Sequence, residues 1–138
     1  MELKEYFSRQ LVLLDENKLE FLDLYFPYAQ SNPERKKVDS LIAEYTQQIE
    51  KLLNSDPLKE IPRFVFIGST VTCLDLDQQV ADQYTICFPE ESDPDNGLIS
   101  FLSPVGQQLL LAKVNHPLTI ETPNGKLRVL VSEVSFQQ

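Results

Sequence analysis

Before Pro62 the apolar residues of this chain recur every three to four positions, and after it they fall mostly in short strand-like runs, alternating with polar residues from Tyr84 to Phe88. One regular element cannot serve both periods, so the chain must be helical first and strand-rich afterwards. From Leu3 to Phe26 apolar residues recur at helical spacing, at Leu3, Phe7, Leu11, Leu14, Phe21, Leu22 and Tyr25, with Glu, Lys, Arg and Gln among the residues between them. This spacing predicts one amphipathic helix. Pro27 stops it, because the residue before a proline is driven out of the α region. Asn32-Pro33 then supplies an N-cap followed by proline at the first helical position, and a second helix is expected from there. Its stripe is Val38, Leu41, Ile42, Tyr45, Ile49 and Leu52, close to the alternation of a coiled-coil seam, and Asn54-Ser55-Asp56-Pro57 closes it. Two such helices joined by a short loop pack antiparallel, and each would be on the order of 30 Å long at ~1.5 Å per residue.

Pro57 and Pro62 frame a short linker, after which the pattern is that of strands. Phe64 to Ile67, Thr70 to Leu74 and Tyr84 to Phe88 read as three of them, and Asp93-Pro94-Asp95-Asn96-Gly97 is a dense turn signal before a fourth, Leu98 to Leu102. Ser103-Pro104 marks the start of a short helix running to about Ala112. A hairpin of Leu118 to Thr122 and Lys126 to Val134 follows, with the turn at Pro123-Asn124-Gly125, where Asn-Gly would supply positive φ angles. The expected class is α+β: an antiparallel helical hairpin (coiled coil) over residues 1–57, a linker over 58–63, and an antiparallel β-sheet domain with one short helix over 64–138.

Charge narrows the function. There are 8 basic and 12 acidic residues before Pro62, then 4 and 9 after it, so both parts are acidic and neither offers the basic face that wrapping nucleic acid requires. An acid at position 2 and no apolar run of membrane-spanning length argue against a secretory signal or a membrane span, and place the chain in the cytoplasm. Cys73, Cys87 and His116 are too few to complete a four-ligand zinc site, so free buried thiols and a loop histidine are expected, with no metal and no cofactor. No nucleophile, base and orienting acid fall together, and the four glycines form no phosphate loop, so an enzyme is not expected and no catalytic residue is assigned.

Four segments carry a resemblance when taken in order: Phe66 to Thr72, Glu90 to Ser100, Ser103 to Gly106 and Glu121 to Gly125. In order and spacing they resemble the C-terminal domain of the bacterial Gre transcription elongation factors over about the last 75 residues. The resemblance implies an FKBP-like fold that docks on core RNA polymerase at the rim of its secondary channel, while an N-terminal coiled coil enters the channel. Carried over by position, it puts the polymerase contacts at Asp93, Asp95, Asn96, Gly97 and Leu98 and at Ser103, Pro104, Val105 and Gly106. Ser103-Pro104 also reads simply as a helix cap. Asn115-His116 departs from the Gly-Asp usual in the family before the last hairpin.

In cleavage-stimulating Gre factors a pair of acids at the hairpin tip helps to hold a metal ion in the polymerase active site. Carboxylates suit that task because magnesium prefers hard oxygen ligands. Here the tip runs Pro27-Tyr28-Ala29-Gln30-Ser31-Asn32-Pro33 and contains no acid. The nearest are Asp23 and Glu34, and Glu34 is followed by Arg35, Lys36 and Lys37, whose charge opposes metal binding. The candidate tip residues are therefore Tyr28, Gln30, Asn32, Glu34, Arg35, Lys36 and Lys37, with the basic cluster either meeting the acidic lining or RNA of the channel or lying in solvent at the first turn of a helix.

The expected function is that of a polymerase-binding regulator resembling the Rnk-type and anti-Gre-type members, which occupies the secondary channel and competes with cleavage factors without stimulating cleavage. Nucleic acid would be met only indirectly, within the polymerase complex. Two alternatives stand beside this reading. One is a true cleavage factor using Asp23 or Glu34. The other is a prolyl isomerase or folding helper with a pocket lined by Phe64, Phe66, Tyr84, Phe88 and Phe101, for which core packing is the simpler account. Leu13 and Leu24 fall off the helical stripe and leave room for self-association, but the oligomeric state is open.

Overall fold

The computed structural model describes residues 2–27, 32–54 and 61–136. The chain divides into two compact units, one up to Glu60 and one from Ile61 to Gln137. The first contains two helices, α1 (Leu3–Tyr25) and α2 (Pro33–Leu53). α1 ends two residues before Pro27, with the Phe26 amide donating back to the Leu22 carbonyl. α2 begins as its sequence predicts, since Asn32 Oδ1 accepts from the Glu34 amide at 3.0 Å and Pro33 occupies the first helical position. Its closing residues from Ser55 to Pro57 lie outside the described residues.

Contacts between Gln10 and Tyr45, Lys18 and Asp39, and Asp23 and Arg35 step oppositely along the two helices, which makes the pair antiparallel. The seam holds Leu3, Phe7, Leu14, Phe21 and Leu22 of α1 and Val38, Ile42, Tyr45 and Ile49 of α2, all buried. Four expected stripe residues behave otherwise, for Leu11, Leu41 and Leu52 are only half-buried and Tyr25 is exposed. Gln10 is buried beside Leu11, and the Tyr45 hydroxyl donates to its Oε1. A buried phenol needs an acceptor, so this apolar seam contains one amide.

The second unit is a five-stranded sheet with a short helix. Its strands are β1 (Thr70–Asp75), β2 (Ala81–Cys87), β3 (Leu98–Ser100), β4 (Pro117–Thr122) and β5 (Gly125–Ser135), in spatial order β3-β2-β1-β5-β4. Helix α3 (Pro104–Leu109) is shorter than the stretch to Ala112 that the sequence suggests. The layout is the expected hairpin followed by a sheet domain with one short helix. One pairing differs from a wholly antiparallel sheet: β3 runs parallel to β2, with Thr85 opposite Leu98 and Cys87 opposite Ser100. The chain between them makes 3-10 turns at Pro89–Glu91 and Pro94–Asn96 instead of a tight hairpin, and so returns in the same direction.

Phe64 to Ile67 also departs from its expected form. It makes a single bridge, Phe64 to Lys113, and backbone bonds from Val65 to Leu111 and Ala112, while Val65, Phe66 and Ile67 are buried. A short apolar run signals burial without specifying a ladder partner. In β5 the buried residues are Val129, Val131 and Val134; the register against β1 shifts between Thr72 and Cys73, so an irregularity moves the alternation by one residue. At the β4–β5 turn, Thr122 pairs with Gly125, leaving Pro123-Asn124 as the connecting pair, and of these three only Gly125 has positive φ, at 125°. Proline at the first turn position fixes a negative φ there, so the Asn-Gly pair does not act as the turn centre.

Candidate functional site

Both segments assigned to docking flank the edge strand β3, which is about 10 Å long at ~3.3 Å per residue. On its N-terminal side the backbones of Asp93 and Leu98 bond reciprocally, amide to carbonyl, at 2.8 and 3.0 Å. Within that loop Asn96 Nδ2 donates to Asp93 Oδ2 at 2.6 Å. Gly97 takes φ 77°, a left-handed value, and its carbonyl accepts from the Thr85 amide at 2.8 Å. The turn is therefore fixed to β2 at its base while Pro94, Asp95 and Asn96 are exposed. Asp93, Gly97 and Leu98 are half-buried and serve mainly to hold it.

On the other side Ser103 caps α3. Its Oγ accepts from the Gly106 amide at 3.1 Å and donates to the Ser100 carbonyl at 2.7 Å. Pro104 is exposed, Val105 is half-buried and Gly106 is buried. The cap is thus real, and the side chains this helix start offers to a partner are those of Pro104 and Val105. Gln108, which sequence reasoning missed, carries the same helix to the far edge: its Nε2 donates to the Glu121 carbonyl at 2.9 Å and its Oε1 accepts from the Glu121 amide at 2.7 Å. One side-chain amide here replaces a neighbouring strand. Nothing in a sequence of consecutive glutamines indicates which would do so.

The electrostatics of this unit are lopsided. Between Arg63 and Lys113 there is no lysine or arginine, while Asp75, Asp77, Asp82, Glu90, Glu91, Asp93 and Asp95 all lie in that stretch. Glu90, Glu91 and Asp95 are exposed next to β3. Such a surface favours a basic counterpart. Among the described residues no group of three or more His, Cys, Asp or Glu side chains could hold a metal ion, and no helix is long and apolar enough to cross a membrane.

At the end of the hairpin, Tyr28 and Gln30 lie outside the described residues. Asn32, half-buried, caps α2 and also donates from Nδ2 to the Pro27 carbonyl at 3.2 Å. Glu34, Lys36 and Lys37 are exposed. Arg35 corrects the reading of a free basic cluster. It is buried, donates from Nη1 to the Phe26 carbonyl at 3.1 Å, and sets Nη2 3.0 Å from Asp23 Oδ1. The sequence held a signal of this, since a cation in the first turn opposes the helix dipole and calls for a tertiary reason.

The remaining candidates are structural. Cys73 and Cys87 are free and buried. Burial, with the Asp82 charge adding to it, pushes the Cys73 thiol up to about 11, and burial followed by Glu91 raises Cys87, so neither is a thiolate at neutral pH. His116 is exposed, with Nδ1 3.0 Å from the Val114 carbonyl oxygen. Phe66 and Phe101 are fully buried, and Phe101 packs edge-on against Phe88 at 5.7 Å, which makes them core and not the lining of an open pocket.

The model of the family described as transcription elongation factor GreA/GreB, C-terminal domain, matches residues 60–136, more than half of the chain. The chain belongs to the GreA/GreB family. A GreA of Desulfovibrio desulfuricans is 44% identical over 73 residues, covering 53% of this chain and 45% of that protein. A GreA of Nitratiruptor is 31% identical over 100 residues, covering 72% and 61%, so the alignments with these two relatives span less than two thirds of their length. With a GreA of Geobacillus kaustophilus the identity is 32% over 107 residues, covering 78% and 68%. The similarity extends to structure: a GreA/GreB elongation factor from Nitrosomonas europaea shares 26% identity and a TM-score of 0.63, over 94% of this chain and 93% of that one. The Gre resemblance and the hairpin-plus-sheet layout are thereby supported over most of the chain.

Proposed function

We propose that the chain is an RNA polymerase-binding regulator of the Gre type that docks at the rim of the secondary channel, inserts its helical hairpin and does not stimulate transcript cleavage. It acts in the bacterial cytoplasm on core polymerase, needs no cofactor of its own and is not itself an enzyme. By occupying the channel it competes with cleavage factors. The observation that carries this reading is at the hairpin end. The loop from Pro27 to Pro33 has no carboxylate, and the nearest acid on α1, Asp23, is already paired with the buried Arg35. A carboxylate that holds a guanidinium is a poor recruit for a metal ion, because ligation would strip the arginine of its partner and leave a buried charge. The acidic turn Asp93–Asn96 and the Ser103–Gly106 corner are the docking contacts in this reading, reaching a basic surface on the polymerase.

A second reading has its own support. The relatives are named transcription elongation factor GreA, and a cleavage factor here would have to use the exposed Glu34 or release Asp23. Backtracked elongation complexes decide between the two. The first reading expects the chain to bind core polymerase, to produce no RNA cleavage above the intrinsic rate, and to suppress cleavage driven by an added GreA. Cleavage by the chain alone would establish the second reading, and failure to bind core polymerase would remove both.

A further inference from the structure

The two ends of the hairpin loop are fastened to each other by side chains of α2. α1 has no basic residue in its last turn, so the carbonyls that a helix leaves unpaired at its C-terminus lack the cation that commonly serves them. Arg35 supplies it from the other helix, through Nη1 to the Phe26 carbonyl and Nη2 to Asp23, a carboxylate in the last turn of α1. Its side chain is 7% exposed, although an arginine in the first turn of α2 works against that helix's own dipole. Asn32 adds a third link, from Nδ2 to the Pro27 carbonyl. All these groups lie outside residues 28–31 and close the loop at its base.

We propose that Arg35 is the positioning residue of the hairpin end, a clamp that fixes where the chain leaves α1 and enters α2, so that the loop is presented inside the polymerase from a rigid base. The clamp is read from this structure, and its use in the polymerase rests on the function proposed above. A planar fork with two separated donors can hold a carbonyl and a carboxylate together, which the single ammonium of a lysine does less well. Lys36 and Lys37, exposed beside it, remain available for contact while Arg35 does not.

Chymotrypsin tests the clamp without polymerase, since it cuts after Tyr28 inside the loop and after Tyr45, which is 1% exposed in the seam. In the full chain carrying Arg35→Met, the cut after Tyr28 should accelerate about tenfold while that after Tyr45 keeps its rate, as local opening of the base requires. Asp23→Asn, which leaves the bond to Phe26, should accelerate it about threefold, and it serves as the second variant if Arg35→Met does not fold. An unchanged rate after Tyr28 in the folded variants overturns the clamp. Equal acceleration at both tyrosines also overturns it, because Arg35 would then only hold the helices together. In the polymerase arm, suppression of GreA-driven cleavage should fall about tenfold for Arg35→Met, in step with the loop opening. Suppression equal to that of the unmodified chain, with the loop opened, overturns the positioning role. If the unmodified chain does not suppress cleavage, the preceding reading fails and the proteolysis still decides the clamp.

Discussion

An alanine methyl group at position 106 would lie 2.0 Å from the Ser100 carbonyl oxygen and 2.9 Å from Ser103 Oγ, both parts of the corner that joins β3 to α3. The first is backbone and cannot swing away, so Gly106 is required by packing whatever else it touches. Gly106→Ala should cost about 3 kcal/mol, the upper range for overpacking, and shift the urea midpoint accordingly. A midpoint within error of the unmodified chain would show that the corner is looser than these distances require, and would return Gly106 to the list of possible contact residues. Asn115 shows the opposite relation between residue and backbone. Its φ is 66°, and its amide bonds to the Val131 carbonyl at 2.7 Å. Asn tolerates a left-handed backbone better than most residues other than glycine, so Asn115 fits this turn without a glycine.

At the scale of elements, what the sequence made legible depended on how local the signal was. Asn32-Pro33 and Ser103-Pro104 announce helix starts because the capping side chain and the proline act within three residues, and both caps form. The expected strands at Thr70, Tyr84, Leu98, Leu118 and Lys126 all exist, with ends displaced by a few residues. The parallel direction of β3 was not legible, because it depends on where two 3-10 turns send the chain. Nor were the partners of Arg35, the Gln10–Tyr45 contact or the Gln108 clip, each of which joins residues distant in sequence. The acidic turn of the candidate docking site was visible as composition, whereas the pinning of Gly97 to Thr85 was not. Gln108 offers the test at this scale. Two hydrogen bonds from an accessible amide are worth ~1 kcal/mol net, and their loss in Gln108→Ala should show most sharply as faster amide exchange at Glu121, with β5 amides unaffected. Exchange at Glu121 at the original rate would mean that another group or water already satisfies that edge.

For the whole molecule the decisive property is where charge is absent. Lysine and arginine total 12 against 21 acids, but the imbalance is concentrated, since residues 64–112 hold seven acids and no cation. Three of these, Glu90, Glu91 and Asp95, are exposed next to β3, and Lys36 and Lys37 are exposed at the start of α2. Under the function proposed above, a protein that must find one site on a much larger polymerase gains most from exposed acids during approach, when long-range attraction orients it before contacts form. Exposed charges at the edge of an interface act mainly on association, because water and salt screen them once the complex is made. The triple variant Glu90→Gln, Glu91→Gln, Asp95→Asn should therefore bind core polymerase with an association rate about tenfold lower at low salt and a dissociation rate changed less than about twofold. Raising the salt should bring the unmodified chain down towards the variant, until the two associate alike. Equal association rates at low salt would place the docking face elsewhere on this unit. A slower association with an equally large rise in dissociation would mean that these acids are buried in the interface and not at its rim, and the turn at Asp93–Asn96 would then be the centre of the contact.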